Sequence, residues 1–285
     1  MKITSFRQGG ADSYGVIDGE TLIDVAPIAS EVGATLKEAL ARQSLGRIAA
    51  WAATASRRIA LGDVEQLPVI PDPDKILCVG INYLAHVKET GREVPQHPMI
   101  FTRFADTLIG HGRSLIRPAA SVKLDFEGEL AVVIGRTARH VKAADALAHV
   151  AGYACFNDGS VRDWQRHTMQ FTPGKNFPAT GGFGPWLVTG DELGDPSNLS
   201  LTTRLNGAIM QEGRTDDLIF AVPKLIEYCS TFTALRPGDV IVTGTPGGVG
   251  AFREPPVWMK PGDVVEVDIS GIGTLRNTIV DESPS

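Results

Sequence analysis

Leu124-Asp125-Phe126-Glu127-Gly128-Glu129-Leu130-Ala131-Val132-Val133-Ile134-Gly135 is the stretch around which the rest of the chain is organised. The β-branched run at its end, closed by Gly135, predicts a strand. Side chains alternate along a strand, so Glu127 and Glu129 fall on one face and Phe126, Gly128 and Leu130 on the other. Two carboxylates so placed stand about 7 Å apart and repel unless water or a cation lies between them. Asp158, in Cys155-Phe156-Asn157-Asp158-Gly159, follows a second apolar run and supplies a third acid. At about 4 Å and an effective dielectric of about 20, each carboxylate pair costs on the order of 4 kcal/mol. A buried triad of this kind implies a hard divalent cation, Mg²⁺ or Mn²⁺. The competing reading is a solvated strand face that carries two glutamates. The stretch alone does not decide between them.

Bulk properties narrow the class. The 285 residues are 43% hydrophobic and 21% charged, enough for one large domain or for a large one with a smaller companion. A net charge of −6 with no basic cluster disfavours nucleic acid and anionic membranes as partners. The start, Met1-Lys2-Ile3-Thr4-Ser5, lacks the apolar core of a signal peptide, and no apolar run reaches the length of a membrane span. Cys78, Cys155 and Cys229 are scattered in apolar contexts and read as buried free thiols of a cytoplasmic protein.

Residues 1–70 read as a small N-terminal α/β domain. Strands at 13–17 and 21–25 are joined by Asp18-Gly19, and a helix runs from about Thr35 to Ala55 with Gly46 as its interruption. Pro71-Asp72-Pro73-Asp74 is a stiff connector, and residues 71–285 form the second unit. Beyond it, strands at 75–80 and 99–103 flank a short helix ending at Gly91, which sets His86 and Glu89 three residues apart on one face. A carboxylate beside a histidine orients the ring as a general base; the plainer alternative is an exposed i,i+3 pair. Arg162 and Gln165 follow Asp158 on a helical turn, where the arginine grips a ligand carboxylate with two parallel bonds or pairs with a nearby acid. Lys175 lies in a loop rich in glycine and proline. Later come a hairpin turning at Asn206-Gly207, a helix over about 218–230, and two turn-then-strand units at Pro237-Gly238-Asp239 and Pro261-Gly262-Asp263. Between those units, Gly244-Thr245-Pro246-Gly247-Gly248 lacks the lysine and helix of a phosphate loop and fits a substrate contact better. Strands without regular helical crossovers predict an α+β, mostly β fold.

Taken together, these residues resemble the fumarylacetoacetate hydrolase family over about residues 75–280. The shared motifs are Gly80-x-Asn82-Tyr83-x-x-His86-x-x-Glu89-x-Gly91, Asp125-Phe126-Glu127-Gly128-Glu129-Leu130, Asn157-Asp158, Arg162-Asp163-x-Gln165, Gly174-Lys175, Gly184-Pro185-Trp186 and Thr243-Gly244-Thr245-Pro246-x-Gly248-Val249-Gly250. The resemblance implies a mixed β-roll catalytic domain, commonly in a homodimer. It implies Mg²⁺ or Mn²⁺ on Glu127, Glu129 and Asp158. His86 and Glu89 would act on water from a mobile lid, with Lys175 facing the substrate and Arg162, Gln165 and Thr245 contacting it. Lys175, Gln165 and Thr245 would hydrogen-bond the developing oxyanion or the substrate oxygens.

The implied reaction is metal-dependent hydrolysis of a carbon–carbon bond in an acylpyruvate or other 2,4-dioxo acid, such as fumarylpyruvate or maleylpyruvate from aromatic catabolism. The same scaffold supports isomerases and decarboxylases of 2-oxo-dienoic acids, and tautomerases of oxaloacetate. Those need the metal and enolate stabilisation but no nucleophilic water. Arg103, Gly159 and residues 176–183 depart from the usual family pattern and are expected to select the acyl group.

Overall fold

The glutamate stretch folds as two strands, not one. Leu124–Asp125 pairs with Ser160–Val161, the chain leaves the ladder at Phe126 and Glu127, and Gly128–Ile134 then runs buried at every position. The break has a cause. The Gly128 amide donates to Gln211 Oε1 at 2.9 Å, a partner outside the ladder. A Cβ on Gly128 would stand 2.1 Å from Thr203 Oγ1, so glycine is needed for the second sheet to approach here. The expected alternation holds beyond the break: Ala131 and Val133 enter one core cluster, and Leu130, Val132 and Ile134 enter another.

The computed structural model describes residues 1–283; Pro284 and Ser285, the end of the second expected unit, lie outside the described residues. Among the described residues a 12-stranded mixed sheet has Gly128–Ile134 near its middle, between Val150–Asp158 and Val240–Val242. Ile76–Gly80 and Met99–Arg103 complete one side. On the other side Lys2–Gln8 pairs antiparallel with Gly181–Thr189, which brings the strands before the connector into the same sheet. A five-stranded sheet, containing the hairpin Ser200–Leu205 and Ala208–Arg214, packs over one face. Its Leu201 and Val267 share a cluster with Leu130 and Val132. This is the mixed, mostly β architecture expected from the sequence.

Two helices differ from expectation. The segment 35–55 is split into Leu36–Ala41 and Leu45–Thr54, not at Gly46 but at Gln43, whose φ is +54°. The Gln43 amide donates to Leu40 O and Gly135 O, which holds this turn against the large sheet. The later helix starts at Val222 and not near 218, because Leu218 bridges to Tyr83 and Phe220 is bound by Asn82. No described helix is long and apolar enough to cross a membrane.

Candidate active site

Strand register assembles the triad. Gly128 pairs with Asn157, so Glu127 lies beside Asp158, and the Asp158 amide donates to Glu127 O at 2.8 Å. Glu127, Glu129 and Asp158 are buried, and each offers one carboxylate oxygen within 4.8 Å of the others. The solvated-face reading is thereby excluded.

Three buried cations answer four buried carboxylates around this point. Lys175 Nζ lies 2.6 Å from Glu127 Oε2 and 2.5 Å from Asp158 Oδ2. Arg103 Nη1 donates to Asp158 Oδ1 at 2.7 Å. Arg162 reaches Asp125 Oδ2 through Nε at 2.8 Å and Glu127 Oε1 through Nη1 at 2.6 Å. Glu129 is the acid left over: it accepts the Gly244 amide and, among the described residues, has no cationic partner within ion-pair distance.

The titration directions follow this imbalance. Burial, then the charges of Asp158 and Glu127, push Glu129 well above the usual carboxylate range. Burial also works against ionised Glu127, but Lys175 and Arg162 outweigh it and bring its pKa down to about 2. Burial opposes the Lys175 ammonium, and Asp158 and Glu127 more than compensate, so its pKa is raised. A buried acid without a counter-cation, next to two that are ion-paired, takes up either a proton or a metal ion. Three hard oxygen donors fit Mg²⁺ or Mn²⁺.

The helix Leu84–Thr90 stands across from the triad, closed at Gly91 with φ +66°. Asn82 anchors its base, donating to Phe220 O and Thr243 O and accepting from the Phe220 amide. His86 Nδ1 lies 2.8 Å from Glu89 Oε2, and Glu89 Oε1 accepts the Gly248 amide at 2.8 Å. The pair is therefore docked on the glycine loop rather than exposed, and Nε2 is the ring nitrogen left for chemistry. His86, Glu127, Glu129, Arg162, Gln165, Lys175 and Thr245 line one cavity of about 70 Å³.

Several residues sit differently from what the sequence implied. Arg162 does not offer a two-pronged grip, because Nε and Nη1 are engaged by Asp125, Glu127 and Gln165; only Nη2, buried and without a partner, is left over. Thr245 Oγ1 donates to Gly128 O and accepts from Gln211, so its proton is already committed. Gln165 Oε1 accepts from Arg162, which leaves its amide as a donor. Lys175 ends a short helix, Thr172–Lys175, rather than a loop. Gly174 permits that placement, since a Cβ there would stand 2.4 Å from Gln165. Arg103, Gly159 and residues 176–183, expected to select the acyl group, do not line the cavity; Arg103 stands against Asp158 and also binds Gly159 O and Thr180 Oγ1.

Sequence reasoning gave no role to Asp125 or Gln211. Asp125 is fully buried, accepts the Gly250 and Ala251 amides, and ties the glycine loop to Arg162. Its place in the Asp125-Phe126-Glu127 motif was a usable signal; Gln211 carried none. Phe101, Phe171, Phe252, Arg92 and Arg166, also without a signal, line the cavity as well.

Comparisons with known proteins agree with this geometry. The family model described as fumarylacetoacetate (FAA) hydrolase C-terminal matches residues 75–280. The human mitochondrial oxaloacetate tautomerase FAHD2A is 45% identical over 228 residues, 75% of this chain and 73% of that protein. The fumarylacetoacetate hydrolase of Exiguobacterium antarcticum is 34% identical with a TM-score of 0.86, over 99% of this chain and 100% of that one. The maleylpyruvate hydrolase of Sphingobium sp. SYK-6, solved with manganese(II) and pyruvate, is 28% identical with a TM-score of 0.84 over the same shares. With the motifs, the fold and the buried triad all in agreement, the chain belongs to the fumarylacetoacetate hydrolase family.

Proposed function

We propose that this chain is a metal-assisted enzyme of small 2-oxo diacids and that its reaction is the keto–enol interconversion of oxaloacetate. The observation that carries this reading is the His86–Glu89 pair set across one small cavity from a buried carboxylate triad. The 45% identity to an oxaloacetate tautomerase supports the same reaction. A divalent cation held by Glu127, Glu129 and Asp158 would supply Lewis-acid polarisation of the 2-oxo carbonyl.

The chain's own groups handle the proton. With Nδ1–H directed at Glu89, His86 Nε2 is the basic nitrogen and accepts the proton from the carbon beside the carbonyl. Glu89 stabilises the resulting imidazolium, and the Gly248 amide fixes that carboxylate in place. The Gln165 amide hydrogen-bonds the oxygen on which charge develops, and the Lys175 ammonium, held by Glu127 and Asp158, lends its positive charge to that side of the cavity. His86 then returns its proton to that oxygen, completing the enol; the reverse sequence restores the keto acid.

A second reading, hydrolysis of an acylpyruvate, draws support from the same dyad, which can deprotonate water, and from the likeness to maleylpyruvate hydrolase. The test follows enol absorbance of oxaloacetate alongside pyruvate release from a panel of acylpyruvates, each with Mg²⁺, Mn²⁺ or EDTA. Metal-dependent acceleration of enol decay without pyruvate release is expected. Metal-dependent pyruvate release with no effect on the enol would replace tautomerisation by hydrolysis.

A further inference from the structure

The inner end of the cavity carries the carboxylates, while its outer wall includes two arginines, Arg92 and Arg166, that the reaction above does not use. Among the described residues neither guanidinium forms an ion pair or a side-chain hydrogen bond, although Arg7, Arg58 and Arg117 elsewhere in the chain each hold an aspartate. Arg166 directly follows the turn Arg162–Gln165, and its amide donates to Asp163 O at 3.1 Å, so its Cα is fixed relative to the triad. Its guanidinium carbon lies 5.5 Å from the centroid of the Phe252 ring, which in turn stands edge-on to His86 at 6.2 Å. A cation–π contact of this kind uses the charge of the guanidinium and none of its N–H groups, so those that fork onto a carboxylate stay without partners. Arg92 follows the Gly91 cap, with its amide bonded to Val87 O at 3.3 Å.

Two like charges on the outer wall of one cavity, neither within ion-pair distance of an acid among the described residues, favour an anion beside them. We propose that Arg166, assisted by Arg92, is the subsite for the distal carboxylate of a dianionic 2-oxo acid and so selects diacids over mono-acids. This rests on the reading that the 2-oxo acid end of the substrate lies at the triad. The substrate then spans the cavity, with its chelating end inward and its second carboxylate on the arginine pair. Partial exposure of both side chains sets the size of the effect, since water screens an open ion pair far more than a buried one.

The test compares oxaloacetate with 2-oxobutanoate, which keeps the 2-oxo acid end and carries a methyl group in place of the distal carboxylate. Affinities are measured by calorimetry on the Mg²⁺-loaded protein for the native chain, Arg166→Gln, Arg166→Lys and Arg92→Gln. The native protein is expected to prefer the diacid. Arg166→Gln should remove about tenfold or more of that preference, the scale of a charge-assisted hydrogen bond, while 2-oxobutanoate affinity holds. Arg166→Lys should keep part of the preference, and Arg92→Gln should lose less than Arg166→Gln. Equal loss for both ligands, or an unchanged preference in both glutamine variants, would overturn the assignment. The two proposals fail separately. Arginine-dependent diacid preference without enol interconversion would sink the tautomerase reading and leave the subsite standing; enol interconversion without arginine dependence would do the reverse.

Discussion

The two ends of the cavity are made from different materials. The inner end is sheet: Glu129 and Asp158 sit on the central strands Gly128–Ile134 and Val150–Asp158, Glu127 lies at their edge, and the supporting side chains are buried. The outer end is a seven-residue helix, Leu84–Thr90, with a glycine loop and exposed arginines. At the inner end almost every carboxylate oxygen has a fixed partner, which suits holding a cation and an enolate. At the outer end His86 has a free nitrogen and Arg166 a free edge, which suits a proton that moves and a substrate that varies. The contrast separates what is held fixed, a cation and an enolate, from what moves or varies within one cavity.

Substitutions that strike the inner end should have the largest effects. Asp158→Asn is expected to abolish metal binding, seen by calorimetry with Mn²⁺. Activity should fall by more than the roughly 10- to 100-fold typical of losing an outer hydrogen-bond partner of a ligand. Comparable metal affinity in this variant would remove Asp158 from the ligand set. His86→Gln comes next, with kcat down by about 10²–10⁴-fold, the usual range for a general base. Metal affinity should stay unchanged, because His86 belongs to the outer end.

Lys175→Met tests how the two ends communicate. Its ammonium neutralises Glu127 and Asp158 in the metal-free protein. Loss of that charge should cost roughly 10²–10³-fold in kcat, yet metal affinity should hold or tighten, since a competing cation is gone. Weaker metal binding would mean that the lysine shapes the triad rather than competing for it. The smallest catalytic effect, but a large structural one, is expected of Asp125→Asn. Arg162 would then be left beside Glu127 with one ion pair broken, at about 3–5 kcal/mol for a buried pair. That would show as a lowered Tm in metal-free protein.

The inner end was also the more legible part in the sequence. Period-two spacing sufficed to bring Glu127 and Glu129 together, although the ladder breaks at Phe126 and Glu127, and Asn157-Asp158 lies on the neighbouring strand. His86 and Glu89 needed only the three-residue spacing of a helix. What escaped depends on contacts between distant segments. Gln211 takes the Gly128 amide from 83 positions away and so splits the strand. Arg103 reaches Asp158 across 55 positions, so a residue expected to select the acyl group instead holds the rear of the triad. Gln43 breaks a helix because a carbonyl 92 positions later accepts its amide. Local propensity carries no record of such partners, and family motifs report only some of them.

The most direct test of the central claim is the rate of enol-oxaloacetate decay with the native protein under EDTA and after Mg²⁺ is restored, with Glu129→Gln alongside. The account predicts no acceleration under EDTA, full recovery with Mg²⁺, and no recovery in Glu129→Gln. Acceleration that persists under EDTA, or that Glu129→Gln retains, would contradict a metal-assisted proton transfer at this triad.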